Sequence, residues 1–514
     1  MTPLYIRADA DAKTGAGHIM RCVALGQAWR KMGGDVTFLS RCQSEGIRRR
    51  VRDEGFDLID IPNPFPHPDD LQTVSETLLK RAAQQRAPTQ EWVVIDGYHF
   101  TGEYQRAIRD LGARVMVIDD DAHLAHYPAD ILLNQNINAS DLSYSFPPET
   151  LPLMGPDYVL LRQEFLNYER DERAVSVQVE KILVTLGGGD SDNVTSKVID
   201  AIERLGLDGV AATIILGPAN PHVDSLNKQL SGVSFNWRLL HGVNNMPEWM
   251  AWADLVISAA GGTCWELCYM GAPALLMVIA ENQRRIGEGL DRNGSCISLG
   301  WHEDVDEEKI YEVLRRVVHS PDRRRELSNH ARQLVDGRGV KRIMASLIGF
   351  NAGLRKWRTD DRGLLWQWAN DPETRRASLN PEEIPWEEHV AWFEKIMANE
   401  DARLYILASD QTPLGQIRFE RQKSGAWLIS YVIAPAYRGL GLGVQMVQKG
   451  LIQMRLENNP PMTFLGIVKK ENGVSRKIFI EAGFSEQTGG LDGQDKACVT
   501  YQLKIAREDG VCED

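Results

Sequence analysis

The sequence lacks the features of a membrane or secreted protein. It has no run of about 18 apolar residues, the length that a spanning helix requires. Asp9 and Asp11 stand near its amino terminus, where a signal peptide would be apolar. Its seven cysteines form no metal-ligand or disulfide pattern. We therefore expect a cytoplasmic protein with no metal and no membrane insertion.

Basic residues are also fewer than acidic ones. The 514 residues include 58 Lys and Arg against 71 Asp and Glu, which gives a net charge of −13. No basic stripe offsets this charge, so binding to nucleic acid is not expected. An anionic ligand must therefore be bound by local groups, such as helix N-termini and single arginines.

The length favours about three domains. Apolar runs alternate with amphipathic stretches through residues 1–155 and again through 156–350, which predicts βαβ units and parallel sheets. The segment 131–156 is rich in Asn and Pro and is predicted to be a loop between these two domains. Residues 354–504 show strands followed by alternating helices, typical of an α+β domain, and 505–514 form an acidic tail.

A glycine turn lies directly behind the first predicted strand. Gly15 and Gly17 precede His18, and a helical pattern follows. A strand, a glycine turn and a helix in this order point backbone N–H groups at the space above the turn, which favours anions such as phosphate. A histidine placed there can also move protons at neutral pH.

Carboxylates end several predicted strands, among them Asp96 and the run 119–121. In open α/β sheets the carboxyl ends of the strands line the ligand crevice, so Asp96 is a candidate site residue. Capping of a loop is an equally good interpretation of this side chain. In the second predicted domain, glycine turns at 187–189 and 261–263 also follow strands and precede helices, which predicts two further anion sites.

These segments resemble known nucleotide-sugar enzymes. The turns at 187–189 and 261–263 resemble the nucleotide-sugar-binding half of GT-B glycosyltransferases. With the segments 7–9 and 15–22, they also resemble the UDP-sugar hydrolases of pseudaminic acid biosynthesis over residues 1–350. The resemblance implies two Rossmann-like domains in a GT-B-like arrangement.

The same resemblance implies roles for particular residues. His18 would be the base that activates or orients the water attacking the anomeric carbon. The turn at 261–263 would bind the diphosphate, and Glu266 the ribose hydroxyls. The full set implied to bind the UDP-sugar is Gly17, Arg21, Asp96, Gly188, Gly189, Met246, Gly261, Gly262, Thr263, Glu266, Asn282 and Gln283.

The carboxyl-terminal domain carries a third glycine loop, at 438–443, between a predicted strand and a predicted helix. Such a loop suits a pyrophosphate. It resembles the coenzyme A motif of the GNAT acetyltransferases, and the segments 368–373 and 468–484 extend that resemblance. It implies acetyl-CoA as co-substrate, bound by Val432, Ile433, Arg438, Gly439, Gly441, Gly443, Asn472, Ser475 and Phe479.

The acid and base of acetyl transfer are less defined. Many GNAT enzymes use a tyrosine to protonate the departing thiolate, and the matching residue here is Phe479. We expect Tyr431 to replace that tyrosine, or the thiolate to leave unassisted. A backbone N–H near Val432 is expected to stabilise the carbonyl oxygen. Glu420 and Glu471 are candidate bases, although a surface carboxylate is the more ordinary interpretation of each.

Together the resemblances imply a bifunctional enzyme of pseudaminic acid biosynthesis. It would N-acetylate the 4-amino group of a UDP-4-amino-4,6-dideoxy sugar, and hydrolyse UDP-2,4-diacetamido-2,4,6-trideoxy-β-L-altropyranose to UDP and the free sugar. Its partners would be the UDP-linked amino sugar and acetyl-CoA. The alternative is a GT-B glycosyltransferase fused to a GNAT domain of another or a regulatory role.

Overall fold

The chain, seen in a computed structural model, divides into two compact units, Met1–Met344 and Ala345–Asp514. The structure describes residues 2–11, 15–84, 91–168, 173–207, 209–217, 220–243, 245–350, 352–409, 412–458, 461–487 and 497–505, without the side chains of 81–84. The predicted acidic tail lies outside the described residues beyond position 505. Across the described part of the chain, no helix has both the length and the apolar character needed to cross a membrane.

The first sheet has seven parallel strands and lies at the start of the first unit. Its strands are β1 (Leu4–Ala8), β2 (Val36–Ser40), β3 (Asp57–Asp60), β4 (Trp92–Asp96), β5 (Arg114–Ile118), β6 (Ile131–Asn134) and β7 (Leu151–Met154). Its helices are α1 (Gly17–Lys31), α2 (Glu45–Asp53), α3 (Pro68–Gln84) and α4 (Gly102–Asp110). The spatial order is β3-β2-β1-β4-β5-β6-β7, so the chain reverses direction across the sheet between β1 and β4. A ligand crevice is expected at that switch point.

The prediction of a loop over 131–156 is wrong, because this segment contains β6 and β7. All four residues of β6 are buried, but its apolar run is only three residues long and ends at Asn134, at the start of an Asn-rich stretch. Pro152 lies in β7, which is an edge strand, where a missing backbone donor is tolerated. The Asn and Pro content of the segment therefore led to a loop prediction where the structure has the last two strands of the sheet.

The second sheet has six parallel strands in the order β10-β9-β8-β11-β12-β13. They are β8 (Lys181–Thr185), β9 (Ala211–Leu216), β10 (Asn236–His241), β11 (Leu255–Ala259), β12 (Ala274–Val278) and β13 (Ile297–Trp301). The helices are α5 (Gln163–Leu166), α6 (Val194–Leu205), α7 (Val223–Leu230), α8 (Met246–Trp252), α9 (Thr263–Met270), α10 (Arg284–Asn293), α11 (Glu307–Val318), α12 (Pro321–Leu334) and α13 (Gly339–Gly349). Two apolar clusters cover the faces of this sheet, as in doubly wound folds. The prediction of two Rossmann-like domains is confirmed.

The second unit contains a mixed sheet in the order β14-β15-β16-β17-β18-β20-β19. Its strands are β14 (Gly353–Lys356), β15 (Ala402–Ser409), β16 (Thr412–Arg421), β17 (Trp427–Ile433), β18 (Met462–Lys469), β19 (Ser485–Glu486) and β20 (Cys498–Ile505). Its helices are α14 (Arg362–Ala369), α15 (Pro372–Ala377), α16 (Trp386–Met397), α17 (Leu442–Glu457) and α18 (Gly473–Glu481). Among the described strands of this sheet, only β17 and β18 run parallel, with Trp427 opposite Phe464 and Leu428 opposite Leu465, and their pairing ends there. This α+β arrangement confirms the GNAT-like fold prediction.

Gly217, at the end of β9, offers a test of how the loop after β8 is held. A Cβ on Gly217 would lie 2.4 Å from the backbone oxygen of Gly187 and from the Cα of Gly188. Because both obstacles are backbone atoms, the loop 187–189 would have to move. We expect Gly217→Ala to lower the free energy of unfolding by about 1–3 kcal/mol, measured by urea denaturation. Gly188→Ala is the control, since a Cβ there meets nothing within 4 Å, and an equal loss in both variants would contradict the packing explanation.

Candidate active sites

His18 and Asp96 meet at the switch point of the first sheet. His18 lies in the first turn of α1, and Asp96 is the last residue of β4. Since β1 and β4 are neighbours, with Ala8 opposite Asp96, the segments that follow the two strands are adjacent. Nδ1 of His18 lies 2.6 Å from Oδ1 of Asp96. The Asp96 side chain is fully buried, and that of His18 is 11% exposed.

The Asp96 carboxylate sets which ring nitrogen of His18 carries the proton. Burial opposes the charge of Asp96, but Arg21 and His18 lower its pKa well below the usual range. An ionised carboxylate can only accept hydrogen bonds, so Nδ1 of His18 donates. In the neutral ring Nε2 is then the unprotonated nitrogen, which is the form that a general base needs.

Arg21 ties this pair to the end of β5. Its Nε and Nη2 donate to the two oxygens of Asp96, each at 2.6 Å, and its Nη1 donates to both oxygens of Asp120 at 2.9 Å. Although burial opposes its charge, Asp120 and Asp96 raise the pKa of Arg21 well above its usual value. Arg21 was predicted to bind the UDP-sugar, but its guanidinium is engaged by these carboxylates. The structure places it as the support of Asp96.

Tyr98 links the same network to the second Rossmann-like domain. Its hydroxyl donates to Oδ2 of Asp120 at 2.6 Å and accepts from Nδ2 of Asn282 at 3.2 Å. Its ring lies edge-on to His18, with centroids 5.0 Å apart. No role was predicted for Tyr98 or Asp120. The signal for Asp120 was its place just after a strand, the same signal that singled out Asp96.

The predicted nucleotide residues of the second Rossmann-like domain gather at the carboxyl edge of its sheet. Gly188 and Gly189 follow β8, and Met246 is the first residue of α8. Gly261, Gly262 and Thr263 follow β11, and Asn282 and Gln283 follow β12. The Gln283 amide lies beside Gly261, where a Cβ would be 3.4 Å from Nε2 of Gln283. The structure therefore brings this set together at the edge where open α/β sheets bind ligands.

The two helices at this edge differ in how their first turns are capped. The Asp190 carboxylate accepts hydrogen bonds from the backbone N–H groups of Val194 at 2.8 Å and Thr195 at 3.0 Å, so the N-terminus of α6 is occupied. No side chain among the described residues caps α9, which begins after Gly262. Two N–H groups of its first turn, those of Cys264 and Trp265, donate to the backbone carbonyls of Gly261 and Gly262, and no carboxylate in the described part of the chain takes them. The dipole of a helix start that lacks such a carboxylate attracts anions. The geometry thus favours α9 over α6 as the diphosphate site.

Glu266 projects from α9 and is held by an arginine that was not predicted. Nη2 of Arg162 donates to Oε1 of Glu266 at 2.7 Å. Burial raises the pKa of Glu266, and Arg162 partly offsets that rise. In the sequence, Arg162 lies just before α5 and outside the predicted glycine turns, so no motif indicated it. The ion pair fixes the position of the carboxylate that was predicted to bind ribose.

The glycine loop of the second unit has the backbone geometry of a phosphate cradle. Gly439 and Gly441 have φ of +75° and +80°, which favours glycine, and a Cβ on either would meet nothing within 4 Å. In the part of the unit that the structure describes, α17 has neither a side-chain cap nor an acidic residue in its first turn. Gly443 differs, because a Cβ there would lie 2.6 Å from Cδ1 of Ile478 on α18. Gly443 therefore serves helix packing.

Arg438, which opens this loop, contacts α15 and its cap. Its Nη1 donates to Oδ1 of Asp371 at 2.6 Å and to Oε2 of Glu373 at 3.0 Å. Its Nη2 donates to Oγ1 of Thr374 at 2.6 Å. The guanidinium therefore anchors the loop to α15, a role that the coenzyme A motif did not indicate.

Tyr431 lies where β17 leaves β18. Its hydroxyl is 2.7 Å from Oγ of Ser475, on α18, and its ring centroid is 5.8 Å from that of Phe479. Burial raises the pKa of Tyr431 to about 12, so the hydroxyl keeps its proton at neutral pH. Asn472 accepts the backbone N–H of Ser475 at 3.0 Å and caps α18. Tyr431 therefore lies in the same strand as Val432 and Ile433, with a proton to give.

The two carboxylates predicted as bases are not brought to this strand end. Glu420 pairs with Nε of Arg418 at 2.6 Å and lies opposite Leu428, about 14 Å along β17 from Val432. Glu471 is exposed in the turn before α18. Their surroundings match the interpretation as surface carboxylates. No group of three His, Cys, Asp or Glu side chains within the described ranges could hold a metal ion.

We expect Asp96→Asn to reduce the acid sensitivity of the first unit. The pKa of Asp96 is lower in the folded chain than in the unfolded one. Its stabilisation is therefore complete above the unfolded pKa of about 3.9 and is lost as pH falls through the folded pKa. Between about pH 6 and pH 3, the wild type should lose about 1 kcal/mol more free energy of unfolding than the variant. Urea denaturation at both pH values measures this difference.

The exposed Asp53 provides the matched control. It pairs with Arg49 at 3.6 Å, and both side chains are mostly exposed. Asp53→Asn should therefore show the acid dependence of the wild type. Identical acid dependence of Asp96→Asn and the wild type would show that the Asp96 ion pair does not contribute as described.

Comparisons with known proteins divide the chain in the same way. Residues 181–344 match the family model described as the glycosyltransferase family 28 C-terminal domain. Residues 352–485 match the family model described as the acetyltransferase (GNAT) domain.

The chain is also similar, at low sequence identity, to individual known proteins. The chain is 23% identical over 399 residues to the Methanocaldococcus jannaschii protein MJ1062, covering 76% of this chain and 77% of that protein. It is 23% identical over 344 residues to the spore coat polysaccharide biosynthesis protein SpsG of Bacillus subtilis, covering 66% and 96%. It is also similar to the crystal structure of Acinetobacter baumannii MurG, with 16% identity, a TM-score of 0.48, and coverage of 66% and 98%. The chain thus carries a glycosyltransferase family 28-like domain followed by a GNAT acetyltransferase domain.

Proposed function

We propose that the chain is a bifunctional nucleotide-sugar enzyme of pseudaminic acid biosynthesis. The first unit hydrolyses UDP-2,4-diacetamido-2,4,6-trideoxy-β-L-altropyranose to UDP and the free sugar. The second unit transfers acetyl from acetyl-CoA to the 4-amino group of the UDP-4-amino-4,6-dideoxy precursor. The observation that carries the hydrolase half is the 2.6 Å contact between Nδ1 of His18 and Oδ1 of Asp96.

In the hydrolytic reaction, Nε2 of His18 takes a proton from water as the water oxygen bonds to the anomeric carbon. The bond from that carbon to the phosphate oxygen breaks, and UDP leaves with the electron pair. Asp96 holds the imidazole in the required tautomer and stabilises the imidazolium that forms. The N–H groups at the start of α9 stabilise the charge that grows on the diphosphate. Tyr98 and Asn282 hold the second Rossmann-like domain against the network.

A GT-B glycosyltransferase is the second candidate, favoured by the match to the glycosyltransferase family 28 model. In that reaction the His18 base would deprotonate a sugar or lipid hydroxyl instead of water. The two reactions differ in one observable way. A hydrolase releases UDP without an added acceptor, and a glycosyltransferase releases it only with one.

In acetyl transfer, the neutral amine attacks the thioester carbonyl of acetyl-CoA. The backbone N–H at Ile433 stabilises the oxygen that becomes negative. Ala434 donates to Leu414 on β16, so the alternation of the ladder turns the N–H of Ile433 away from β16, towards the side where β17 is not paired with β18. The carbon–sulfur bond then breaks, and the hydroxyl of Tyr431 gives its proton to the thiolate. The proton that the acylated nitrogen loses passes through solvent and restores the Tyr431 hydroxyl. Ser475 is within hydrogen-bond distance of that hydroxyl and keeps it oriented. The glycine loop before α17 binds the pyrophosphate of coenzyme A.

We expect His18→Ala to lower the rate of UDP release by about 10²–10⁴-fold, since a positioned base contributes that much. Acetyl transfer should be unchanged. Chromatography of UDP and a thiol assay for CoA, with the UDP-sugar substrates and no added acceptor, measure the two rates. His126→Ala is the control, because this histidine is exposed and contacts Ser145.

Loss of both activities in His18→Ala would contradict the assignment of the two reactions to separate units. UDP release by the wild type only in the presence of an added acceptor would instead support the glycosyltransferase.

We expect Tyr431→Phe to lower kcat of acetyl transfer by about tenfold to a hundredfold, since it removes the proton donor to the thiolate. The acid must be protonated to act, so activity persists below its pKa. With the pKa of Tyr431 at about 12, kcat of the wild type should not fall up to about pH 10. Initial rates from CoA release between about pH 7 and pH 10 provide the measurement. A wild-type kcat that halves near pH 10, or an unchanged kcat in Tyr431→Phe, would exclude this role.

A further inference from the structure

Gln416 carries an amide oxygen that its surroundings do not satisfy. It lies on β16, and its side chain is 8% exposed. Its Oε1 is buried and has no hydrogen-bond partner among the described residues. Leaving a buried polar atom unpaired costs about 1–3 kcal/mol. Since most buried polar atoms are paired, this oxygen requires an explanation.

The sheet register places Gln416 beside the centre of acetyl transfer. It is opposite Val432 on β17 and opposite Ile406 on β15. Opposite residues in an antiparallel pair share one face of a sheet. Ile406 and Val432 both pack in the apolar cluster that includes residues of α14 and α16. The amide of Gln416 therefore lies on the face that these two helices cover.

The proton donor lies on the other face. Tyr431 is adjacent to Val432 in the strand, so its side chain points to the opposite face, where it contacts α18. The backbone of β17 that has left β18 lies between these two faces. An acyl group bound at this stretch of β17 would thus have the Tyr431 hydroxyl on one side and the Gln416 amide on the other.

We propose that the Oε1 of Gln416 is the binding site for the acceptor amine, a primary amine in its neutral form. This inference rests on the acetyl transfer proposed above. The lone pair of an attacking amine must face the thioester carbonyl, so its N–H groups point away and need acceptors. A neutral amide oxygen accepts such a hydrogen bond without favouring the ammonium form. A carboxylate at the same place would favour the charged amine, which is not a nucleophile.

Two substitutions separate this role from a structural one. Gln416→Met removes the oxygen and keeps the length of the side chain. In the full chain, kcat/KM for the UDP-4-amino sugar should fall by about tenfold, the size expected for one lost hydrogen bond, while KM for acetyl-CoA stays within about twofold. Acetyl-CoA raises the melting temperature of the unit that binds it, and this identifies the transition of the second unit. In Gln416→Met, the melting temperature of that transition should be about 2–4 °C higher than in the wild type, because an unpaired polar atom is gone.

Gln416→Glu keeps an acceptor but adds a charge beside the amine. The acid limb of kcat should shift to higher pH by about one unit, since the ammonium form of the bound amine is stabilised. Gln453→Met is the matched control. Gln453 lies on α17 and donates to Glu457 at 2.9 Å, so none of these readouts should change.

A lower melting temperature in Gln416→Met together with an unchanged kcat/KM for the amine would show a structural role and overturn the inference. An acid limb that does not move in Gln416→Glu would overturn it as well. If the wild type releases no CoA with the UDP-4-amino sugar, the proposed substrate is wrong. In that case the kinetic comparisons are repeated with spermidine and with other primary amines that release CoA. A lower melting temperature of Gln416→Met than of the wild type still contradicts the inference.

Discussion

The candidate hydrolytic site depends on one buried charge, the carboxylate of Asp96. An unpaired carboxylate in this position would lose several kcal/mol of hydration free energy. Two N–H groups of Arg21 and the Nδ1 of His18 compensate for that loss, all at 2.6 Å. The same contacts fix the tautomer of His18. The charge that opposes folding of the site is therefore the charge that sets the tautomer of the proposed base.

The compensation extends through the first Rossmann-like domain. Arg21 is held in turn by Asp120, which also accepts hydrogen bonds from Tyr98 at 2.6 Å and from Asn136 at 2.7 Å. These residues follow β4, β5 and β6, three neighbouring strands of a parallel sheet, so the sheet order brings them to one edge. Because the Tyr98 hydroxyl also accepts a hydrogen bond from Asn282, the network is connected to the second Rossmann-like domain. A change in the position of that domain would move Tyr98, and with it the ring that contacts His18 edge-on.

The sequence predicted the backbone of these sites far better than their side-chain pairs. Glycine turns are local, so the loops before α1, α9 and α17 could be identified from spacing alone. The pairs are not local: Asp96 is 78 residues from His18, and Arg162 is 104 residues from Glu266. The strand β6 was missed because its four residues lie in an Asn-rich segment, and the role of Arg438 was missed because an arginine has many possible partners. The unsatisfied oxygen of Gln416 has no sequence signature at all.

The net charge of −13 makes anion binding a question of local geometry. The sites proposed for UDP and coenzyme A both lie at helices without a side-chain cap in the described structure, α9 and α17. At α6, by contrast, the Asp190 carboxylate takes the N–H groups that a phosphate would need. One carboxylate therefore stabilises a helix and keeps an anion from binding there. Because the chain has more acidic than basic residues, a diphosphate is expected to bind at a helix start that no carboxylate of the described residues caps, such as that of α9, and not at the capped start of α6.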